Sequence, residues 1–388
     1  MSPAPLEPAP EGARPWLLVS AAFLKTGGQD RANFALASFL ARQGERVHIV
    51  AHKIADDVGA YSHVIGHRVP RPLNSDLLGE PLLQRQGVRW ARRLTDRPRV
   101  VVNGGNCAWP DVNWVHYVHA AYDRADEGGA ARGMRMRLSH RHWLKDERRA
   151  LLEARVVIAN SQRTRLDLID RVGVSADRIR VIYYGIDASE FRPPQDGERR
   201  LTRADLGWPT DRPVFLFIGG LGDRRKGFDT LFRAWEIVSR DSRSSPLLAV
   251  IGRGALLPEW RRRVTSANLD HGVTFLGFRN DVPRLIRAAD ALVAPTRYEA
   301  YGLGVHEALC CGLPAIVSAD AGVAERYPPE SQRLLLPDAE NAHDLAARIE
   351  ACLTLPATVA ASIAAFSASL RARSWDDMAR DIVSAARE

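Results

Sequence analysis

The sequence is poor in cysteine and contains no long apolar run. Its four cysteines are in neither a CxxC motif nor the spacing of a metal site, and they are Cys107, Cys310, Cys311 and Cys352. They are therefore predicted to be reduced thiols of a cytoplasmic protein. No apolar run approaches the roughly 18 residues of a transmembrane helix, and no basic segment followed by an apolar stretch opens the chain. Neither a membrane span nor a signal peptide is expected.

The sequence also lacks internal repeats and any recognisable nucleic-acid-binding module. Its formal net charge of +8 fits an anionic partner, but without such a module we expect no nucleic acid among the partners. A chain of 388 residues exceeds the size of one comfortable core, so two domains are predicted.

The most informative stretch is residues 295–317, PTRYEAYGLGVHEALCCGLPAIV. An apolar run precedes its glycine loop, a helix is predicted over 303–311, and a second apolar run follows. The start of such a helix presents backbone N–H groups and a positive dipole end, which suit a diphosphate. Glu299 and Glu307 can accept hydrogen bonds from sugar and ribose hydroxyls. The alternative is a surface glutamate and a glutamate that solvates the helix.

The spacing Glu299-x7-Glu307, followed by EALCCGLPAI, resembles the nucleotide-sugar signature of the retaining glycosyltransferases of family 4, also called glycosyl transferases group 1. The resemblance implies that Glu307 binds the ribose and that Glu299 faces the donor sugar. It also implies that the amides between them hold the diphosphate, in a donor-binding set formed by Tyr301, Gly302, Leu303 and Gly304.

The N-terminal part reads as a Rossmann-like opening. A strand is predicted over 16–20, followed by a glycine loop, a helix with apolar residues at helical spacing over 34–40, and a further strand. Gly27 and Gly28 resemble the glycine pair of the family, which lets the backbone approach the donor. Asp30 occupies a position where the family commonly has Glu. An ordinary tight turn is the alternative for this glycine pair.

Residues 112–122, VNWVHYVHAAY, have the pattern of a β-strand in which Val115, Tyr117 and His119 share one face. His119 resembles the strand-end histidine that faces the sugar in many family members, where a neutral imidazole could bond a donor hydroxyl. A histidine satisfied within the core is the alternative. His116 lies on the opposite face and is expected to be structural.

Residues 213–238 predict a strand, a glycine loop, a basic cluster and a helix. Arg224, Arg225 and Lys226 would lie beside the carboxyl edge of the sheet, where a diphosphate belongs in an open α/β fold. Arg-Lys-Gly resembles the donor-phosphate motif of the family. Many members have a second basic residue where this chain has Gly220, so the charge must come from Lys226 and its neighbours. A solvated basic turn is the alternative.

Two further segments match family positions. Phe278 lies in the loop where members cover the nucleotide base, and it is expected either to stack on the base or to belong to the core. Residues 177–194 resemble the passage between the two domains, although Tyr184 stands where Asn is usual. The stretch from Pro193 to Arg203 is predicted to be the hinge.

The basic segment 132–149 has two interpretations. It is either an anionic-acceptor or membrane surface, which would place the protein on the inner face of the membrane, or the solvated face of a helix. The acceptor is expected to be a glycan, a lipid or lipid-linked molecule, or a small molecule.

The resemblance spans roughly residues 16–388 and implies a GT-B fold, an α/β architecture of two Rossmann-like domains with parallel sheets that face each other across a cleft. The predicted parts are a disordered leader at 1–14, an acceptor-side domain at 15–195, a nucleotide-sugar-binding domain at 200–373, and a last helix at 374–388 that packs back on the first domain.

The resemblance further implies transfer of a sugar, with retention, from a UDP- or GDP-linked donor to an acceptor hydroxyl in cell-surface polysaccharide or glycolipid assembly. Glu299, Lys226, Arg225 and His119 would form the catalytic set. No metal ion, pyridoxal phosphate or other cofactor is expected. The alternatives are another GT-B enzyme, such as a sugar-nucleotide epimerase, and a non-catalytic protein that binds nucleotides or other anions.

Overall fold

The structure, a computed structural model, describes residues 14–122, 130–222, 224–241 and 245–388. For residues 130–139 and 241 it describes the backbone but not the side chains. Two compact units make up the chain. The first runs to Gly185 and includes Trp375–Glu388, and the second comprises Ile186–Ser374. Most of the predicted leader lies outside the described residues.

The first unit alternates strands and helices. Its elements are β1 (Trp16–Val19), β2 (Ala22–Phe23), α1 (Gly28–Arg42), β3 (Val47–Ala51), β4 (Lys53–Ile54), α2 (Asp56–Gly59), β5 (Val64–Arg68), α3 (Asp76–Arg93), β6 (Arg99–Val102), β7 (Val112–Val115), α4 (Ala130–Glu153), β8 (Val156–Ala159), α5 (Gln162–Asp167) and β9 (Ile179–Val181). The sheet is parallel with the order β5-β3-β1-β6-β7-β8-β9, while β2 and β4 form a small pair. This order reverses at β1, as in a doubly wound fold.

The strands of this sheet are almost wholly apolar because helices cover both faces. Helix α3 packs closely over β1 at Gly87, where an added Cβ would lie 3.0 Å from Val19 and 2.9 Å from the sulfur of Cys107. A larger residue at this point would force the helix away from the sheet. Burial raises the pKa of Cys107 to about 12, so its thiol stays neutral.

The second unit repeats the same architecture. Its elements are α6 (Glu198–Leu206), β10 (Val214–Ile218), α7 (Phe228–Asp241), β11 (Leu247–Ile251), α8 (Leu257–Ser266), β12 (Val273–Gly277), α9 (Val282–Ala288), β13 (Ala291–Ala294), α10 (Leu303–Cys310), β14 (Ala315–Ser318), β15 (Leu335–Leu336), α11 (Ala342–Cys352) and α12 (Ala357–Arg371). The parallel sheet has the order β12-β11-β10-β13-β14-β15. Aromatic side chains fill the core on one face, where Phe228 packs edge-to-face on Trp260 with ring centres 5.0 Å apart.

The chain then returns to the first unit in α13 (Trp375–Arg387). This helix buries an apolar face that includes Met378 and Ile382. It is joined to α1 by an ion pair of 2.5 Å between Arg42 and Asp376.

The boundary between the units lies earlier than the sequence analysis placed it. Ile186 and Phe191 pack in the core of the second unit, so the structure assigns residues 186–195 to that unit rather than to the first. The stretch predicted to be a hinge also contains a helix, α6. Its Arg203 is buried and donates to the carbonyl of Ala288 and to Asp290, which fixes the helix to the unit.

Candidate functional site

Two loops of the second unit meet where the strand order reverses. Strands β10 and β13 are neighbours in the sheet, and their carboxyl ends lead into residues 219–227 and 295–302 respectively. In open α/β sheets, ligands bind outside the carboxyl ends of the strands at such a point. The fold therefore places the basic cluster and the first half of the Glu-x7-Glu stretch side by side.

The closest contact between these loops is an ion pair between the Lys226 ammonium and the Glu299 carboxylate. Both side chains are largely buried, with 20% and 17% exposed. Burial alone would raise the pKa of Glu299, but the positive charges of Lys226 and Arg225 outweigh it and hold that pKa below its ordinary value. Arg225 also donates to the carbonyl of Tyr298 at 3.4 Å. Three of the residues predicted to be catalytic thus lie together.

The start of α10 lies beside this ion pair. Gly302 precedes the helix with a φ of 106°, a conformation that favours glycine. The backbone N–H groups of Leu303 and Gly304 have no acceptor in the part of the chain that the structure describes. An added Cβ at Gly304 would lie 3.9 Å from Ile218 at the end of β10, so the helix begins at the carboxyl edge of the sheet. Glu307 follows within α10 and is 7% exposed.

Tyr301 belongs to this loop, but its side chain points into the unit. Only 2% of the residue is exposed, and its hydroxyl is 2.8 Å from Nδ1 of His306 and accepts a hydrogen bond from Arg326 at 3.3 Å. Burial raises the pKa of the hydroxyl to about 12. Any contact of Tyr301 with a donor must therefore be made by its backbone.

The turn that carries Lys226 is pressed against the loop that carries Glu299. Gly227 has a φ of 72°, and an added Cβ would lie 1.8 Å from the carbonyl oxygen of Pro295. No other residue fits this position without moving one of the two loops. Gly220, by contrast, has open space, since the atom nearest to an added Cβ is 4.0 Å away.

Arg297 fixes the same two loops, and the sequence analysis did not single it out. Its side chain donates to both carboxylate oxygens of Asp229, at 2.7 and 2.9 Å, and to Glu340 at 2.7 Å. Its backbone N–H donates to the carbonyl of Arg225 at 2.8 Å. Arg224, predicted to bind the donor, pairs with Asp229 and Glu340 in the same network.

The local sequence around Arg297 carries no signal of this role, because its partners lie far along the chain. An arginine two residues before Glu299 and an aspartate three residues after Lys226 are the nearest clue. Only the pairing of β10 with β13 turns these positions into neighbours.

Phe278 follows β12 and is not part of the core. The residue is 51% exposed, and the guanidinium of Arg253 lies over its ring at 4.7 Å. The structure therefore excludes the interpretation that Phe278 belongs to the core. Its ring lies on the surface of the second unit.

Two family models match the chain in succession. The model of Glycosyltransferase Family 4 matches residues 26–190, and that of Glycosyl transferases group 1 matches residues 198–365. The chain belongs to this glycosyltransferase family. Its fold class is GT-B, as the sequence analysis predicted.

Known proteins of this kind include a D-inositol 3-phosphate glycosyltransferase of Jonesia denitrificans, which is 28% identical over 50% of this chain and 47% of its own length. The chain thus spans about half the length of this curated relative. Among solved structures, the lipopolysaccharide glycosyltransferase WaaG matches with a TM-score of 0.77 at 20% identity, covering 94% of this chain and 98% of WaaG. HepE of Anabaena, solved with UDP and glucose, matches with a TM-score of 0.70 at 19% identity, covering 97% of this chain and 100% of HepE.

In the first unit of this family 4 member, the predicted glycine pair precedes and starts α1. Gly27 has a φ of 84° and both glycines are exposed. Asp30 lies in the first turn of the helix, where burial raises the pKa of its carboxyl to about 6 although Lys53 lowers it.

The strand predicted over 112–122 is shorter than expected. It ends at Val115, and His119 begins a separate 3₁₀ turn, so the shared face predicted for Val115, Tyr117 and His119 does not exist. The reason is Glu147 on α4. This residue is 1% exposed and accepts the backbone N–H groups of His119 and Ala120 at 2.8 and 3.1 Å, which holds the turn away from the sheet. The imidazole of His119 packs against the ring of Trp143.

His116 and Tyr184 form a partly buried hydrogen-bonded pair in the first unit. Nδ1 of His116 lies 2.5 Å from the Tyr184 hydroxyl, which also accepts a hydrogen bond from Asn160 at 3.1 Å. Burial lowers the pKa of His116 to about 3, so the imidazole is neutral. The tyrosine that replaces the usual asparagine therefore satisfies a histidine inside the first unit.

The basic segment is only partly described. Of its C-terminal residues, Arg148 donates to the carbonyl of Val172, and Arg149 pairs with Glu153 at 3.1 Å. The side chains of Arg132, Arg135 and Arg137 lie outside the described residues, so membrane contact through 132–149 stays a prediction.

The described residues hold neither a metal-ligand cluster nor a single membrane-spanning helix. No cluster of three or more His, Cys, Asp or Glu side chains arranged for a metal ion occurs among them. No single described helix is long and apolar enough to cross a membrane. Among the described helices, α11 and α12 reach this length and hydropathy only as a pair, and the pair is bent by 93°.

Proposed function

We propose that the protein transfers a sugar from a nucleotide-diphosphate sugar to an acceptor hydroxyl, with retention at the anomeric carbon. The observation that carries the proposal is the Lys226–Glu299 ion pair beside the start of α10, at the point where the strand order reverses. A cation and two backbone N–H groups suit a diphosphate, while the carboxylate suits sugar hydroxyls. HepE, of similar fold, was solved with UDP and glucose.

In this proposal the bond between the anomeric carbon and the β-phosphate oxygen breaks, and the acceptor oxygen forms a new bond to that carbon on the same face. The hydroxyl proton passes to the departing diphosphate. Negative charge grows on the β-phosphate as the bond breaks, and Lys226, Arg225 and the start of α10 stabilise it. Fixed charges aimed at a developing charge supply a large part of the catalysis in many enzymes. Because these cations come from the protein, the reaction is expected to proceed without a divalent metal ion.

In the proposed site, Glu299 binds the donor sugar and Glu307 binds the ribose of the nucleotide. Lys226 holds Glu299 ionised at neutral pH, so its carboxylate can accept hydrogen bonds from the donor sugar. Glu307 lies farther along α10 and would accept the ribose hydroxyls. The exposed ring of Phe278 would stack on the base. We place the product among cell-surface polysaccharides or glycolipids, because WaaG, which shares the fold, takes part in lipopolysaccharide biosynthesis.

The donor site is tested by thermal unfolding with UDP, GDP, ADP and TDP and their glucose and mannose derivatives, without added metal. Wild type is compared with Glu307→Gln and with Glu350→Gln, a control that changes an exposed glutamate on α11. One nucleotide should raise the unfolding midpoint of wild type and of the control but not of Glu307→Gln. No rise with any nucleotide, or an equal rise in all three proteins, would contradict the proposal.

A further inference from the structure

The amino edge of the sheet in the first unit carries a basic cavity of about 640 Å³. The cavity is formed by residues that precede β1, β6, β7 and β8, together with the last turns of α3 and α13. We call it the arginine cavity after its lining guanidinium groups, which belong to Arg14, Arg92, Arg97, Arg99, Arg155 and Arg387. Gly27, Gly28 and His119 follow the opposite, carboxyl ends of these strands. The cavity is therefore separate from the loops of this unit that the family resemblance assigns to the reaction.

The positive charge of the arginine cavity is not balanced by its own acidic residues. Two line it, Asp111 and Glu388. Asp111 pairs with Arg155 at 3.1 Å, and Glu388 pairs at 2.9 Å with Arg180, which lies outside the lining. Of the six arginines, four make no ion pair with any acidic side chain that the structure describes, and these are Arg14, Arg92, Arg97 and Arg99.

The positive charges of these arginines also repel one another. Burial lowers the pKa of Arg99, and the charges of Arg14 and Arg387 lower it further. The charges of Glu45 and Asp111 offset this lowering only in part. An anion in the cavity would remove this repulsion. The guanidinium of Arg99 additionally lies over the ring of Trp16 at 5.7 Å, which limits where it can point.

Helix dipoles account for only part of the cluster. Arg92 and Arg387 lie in the last turns of α3 and α13, where a cation stabilises the negative helix end. Arg14 and Arg97 lie on loops, and they are held together because Nε of Arg14 donates to the carbonyl of Arg97 at 2.7 Å. Arg97 adopts a φ of 47°, an unusual conformation for a residue other than glycine. This hydrogen bond and this backbone conformation therefore hold the positively charged residues Arg14 and Arg97 next to each other.

We propose that the arginine cavity binds an anion that carries two or more phosphate groups. Planar guanidinium groups match phosphate oxygens two at a time, and the cavity is far larger than a single phosphate needs. The same chemistry is offered by a soluble polyphosphate and by the clustered headgroups of a phosphate-rich lipid surface.

The test uses the full chain carrying Lys226→Ala, because the proposed donor site also takes a diphosphate. Tripolyphosphate is titrated calorimetrically at fixed ionic strength. We expect saturable binding that Arg14→Ala and Arg97→Ala each weaken about tenfold, the cost of one charged hydrogen bond. Arg263→Ala, which removes a surface arginine from α8 in the second unit, should leave binding unchanged. Both cavity residues are exposed, so their variants should fold.

A second arm identifies the source of the phosphates. The same proteins are sedimented with phosphatidylcholine vesicles that contain or lack phosphatidic acid. Sedimentation that needs phosphatidic acid and is lost in Arg14→Ala and Arg97→Ala would support the cavity with lipid headgroups as its ligand. The proposal is overturned if neither probe binds, or if both variants bind as well as the parent. Because Lys226 is already replaced, such a failure would not bear on the donor site.

Discussion

Lys226 and Glu299 are 73 residues apart in the chain, yet their side chains form an ion pair at the carboxyl edge of the second sheet. The close packing of Gly227 against Pro295 holds the two loops together and so limits the positions that both side chains can adopt. Without a donor, the positive charge of Lys226 keeps Glu299 ionised, and the ion pair holds both side chains in place. A bound donor would exchange this contact for the diphosphate on one side and the sugar hydroxyls on the other.

Arg297 is expected to act as a positioning residue for the loop of Lys226. Replacing it by Lys keeps the charge but loses the paired hydrogen bonds to Asp229, so kcat/KM should fall about 10- to 100-fold. Asp229→Asn should give a similar loss, and the double variant should lose little more than either single one. Fully additive losses in this double-mutant cycle would contradict a shared role.

Gly227→Ala should strongly destabilise the second unit. The added Cβ would meet the Pro295 carbonyl at 1.8 Å and would occupy a backbone conformation that disfavours side chains. We expect a loss of about 3 kcal/mol or more in unfolding free energy, read from denaturant titration. Gly220→Ala on the same loop is the matched control and should cost less than about 1 kcal/mol, because no atom crowds its Cβ. Equal stability of the two variants would show that the loops separate easily.

Glu147 should make the stability of the first unit depend on pH. Burial raises the pKa of its carboxyl to about 7, although the backbone N–H groups of His119 and Ala120 lower it. The folded protein therefore holds a proton that the unfolded chain loses above pH 4.5, and stability falls as pH rises from about 4.5 to about 7. Relative to Glu147→Gln, wild type should lose about 2 kcal/mol between pH 5 and 7.5.

The comparison with Glu147→Gln removes the opposite effect of His116, whose lowered pKa makes stability rise with pH over an overlapping range. Denaturant titrations of both proteins at the two pH values provide the difference. A difference that does not change with pH would mean that Glu147 is already ionised at pH 5.

Chelation of divalent metals should leave donor binding unchanged. In the proposed site the charge on the diphosphate is met by Lys226, Arg225 and the start of α10. The midpoint rise caused by the active nucleotide should thus be the same in EDTA and in magnesium. Loss of the rise in EDTA, restored by magnesium, would show that a metal ion carries part of this charge.

The sequence was sufficient for the elements whose signal is local. The strand predicted over 16–20 and the helix predicted over 303–311 agree with Trp16–Val19 and Leu303–Cys310 to within one residue. Apolar runs, glycine turns and helical spacing are properties of neighbouring residues, and the Glu-x7-Glu stretch is one continuous string. The family resemblance rests on that string, and the two-sheet architecture was what the resemblance implied.

What the sequence missed depends on contacts between distant segments. The early end of β7 follows from Glu147, which lies 28 residues beyond His119. Arg297 acquires its role from Asp229 and Glu340, and the arginine cavity from loops that only the sheet brings together. No spacing rule connects such positions, so a pattern read along the chain cannot find them.

The central claim is that Lys226 holds the donor diphosphate. The most direct test is calorimetric binding of the nucleoside diphosphate selected by the thermal panel and of the corresponding monophosphate, to wild type and to Lys226→Ala. Wild type should bind the diphosphate at least about tenfold more tightly, since the second phosphate gains a charged hydrogen bond. The variant should lose most of this preference while it still binds the monophosphate, since Arg225 and the start of α10 remain. An unchanged preference in Lys226→Ala would contradict the claim.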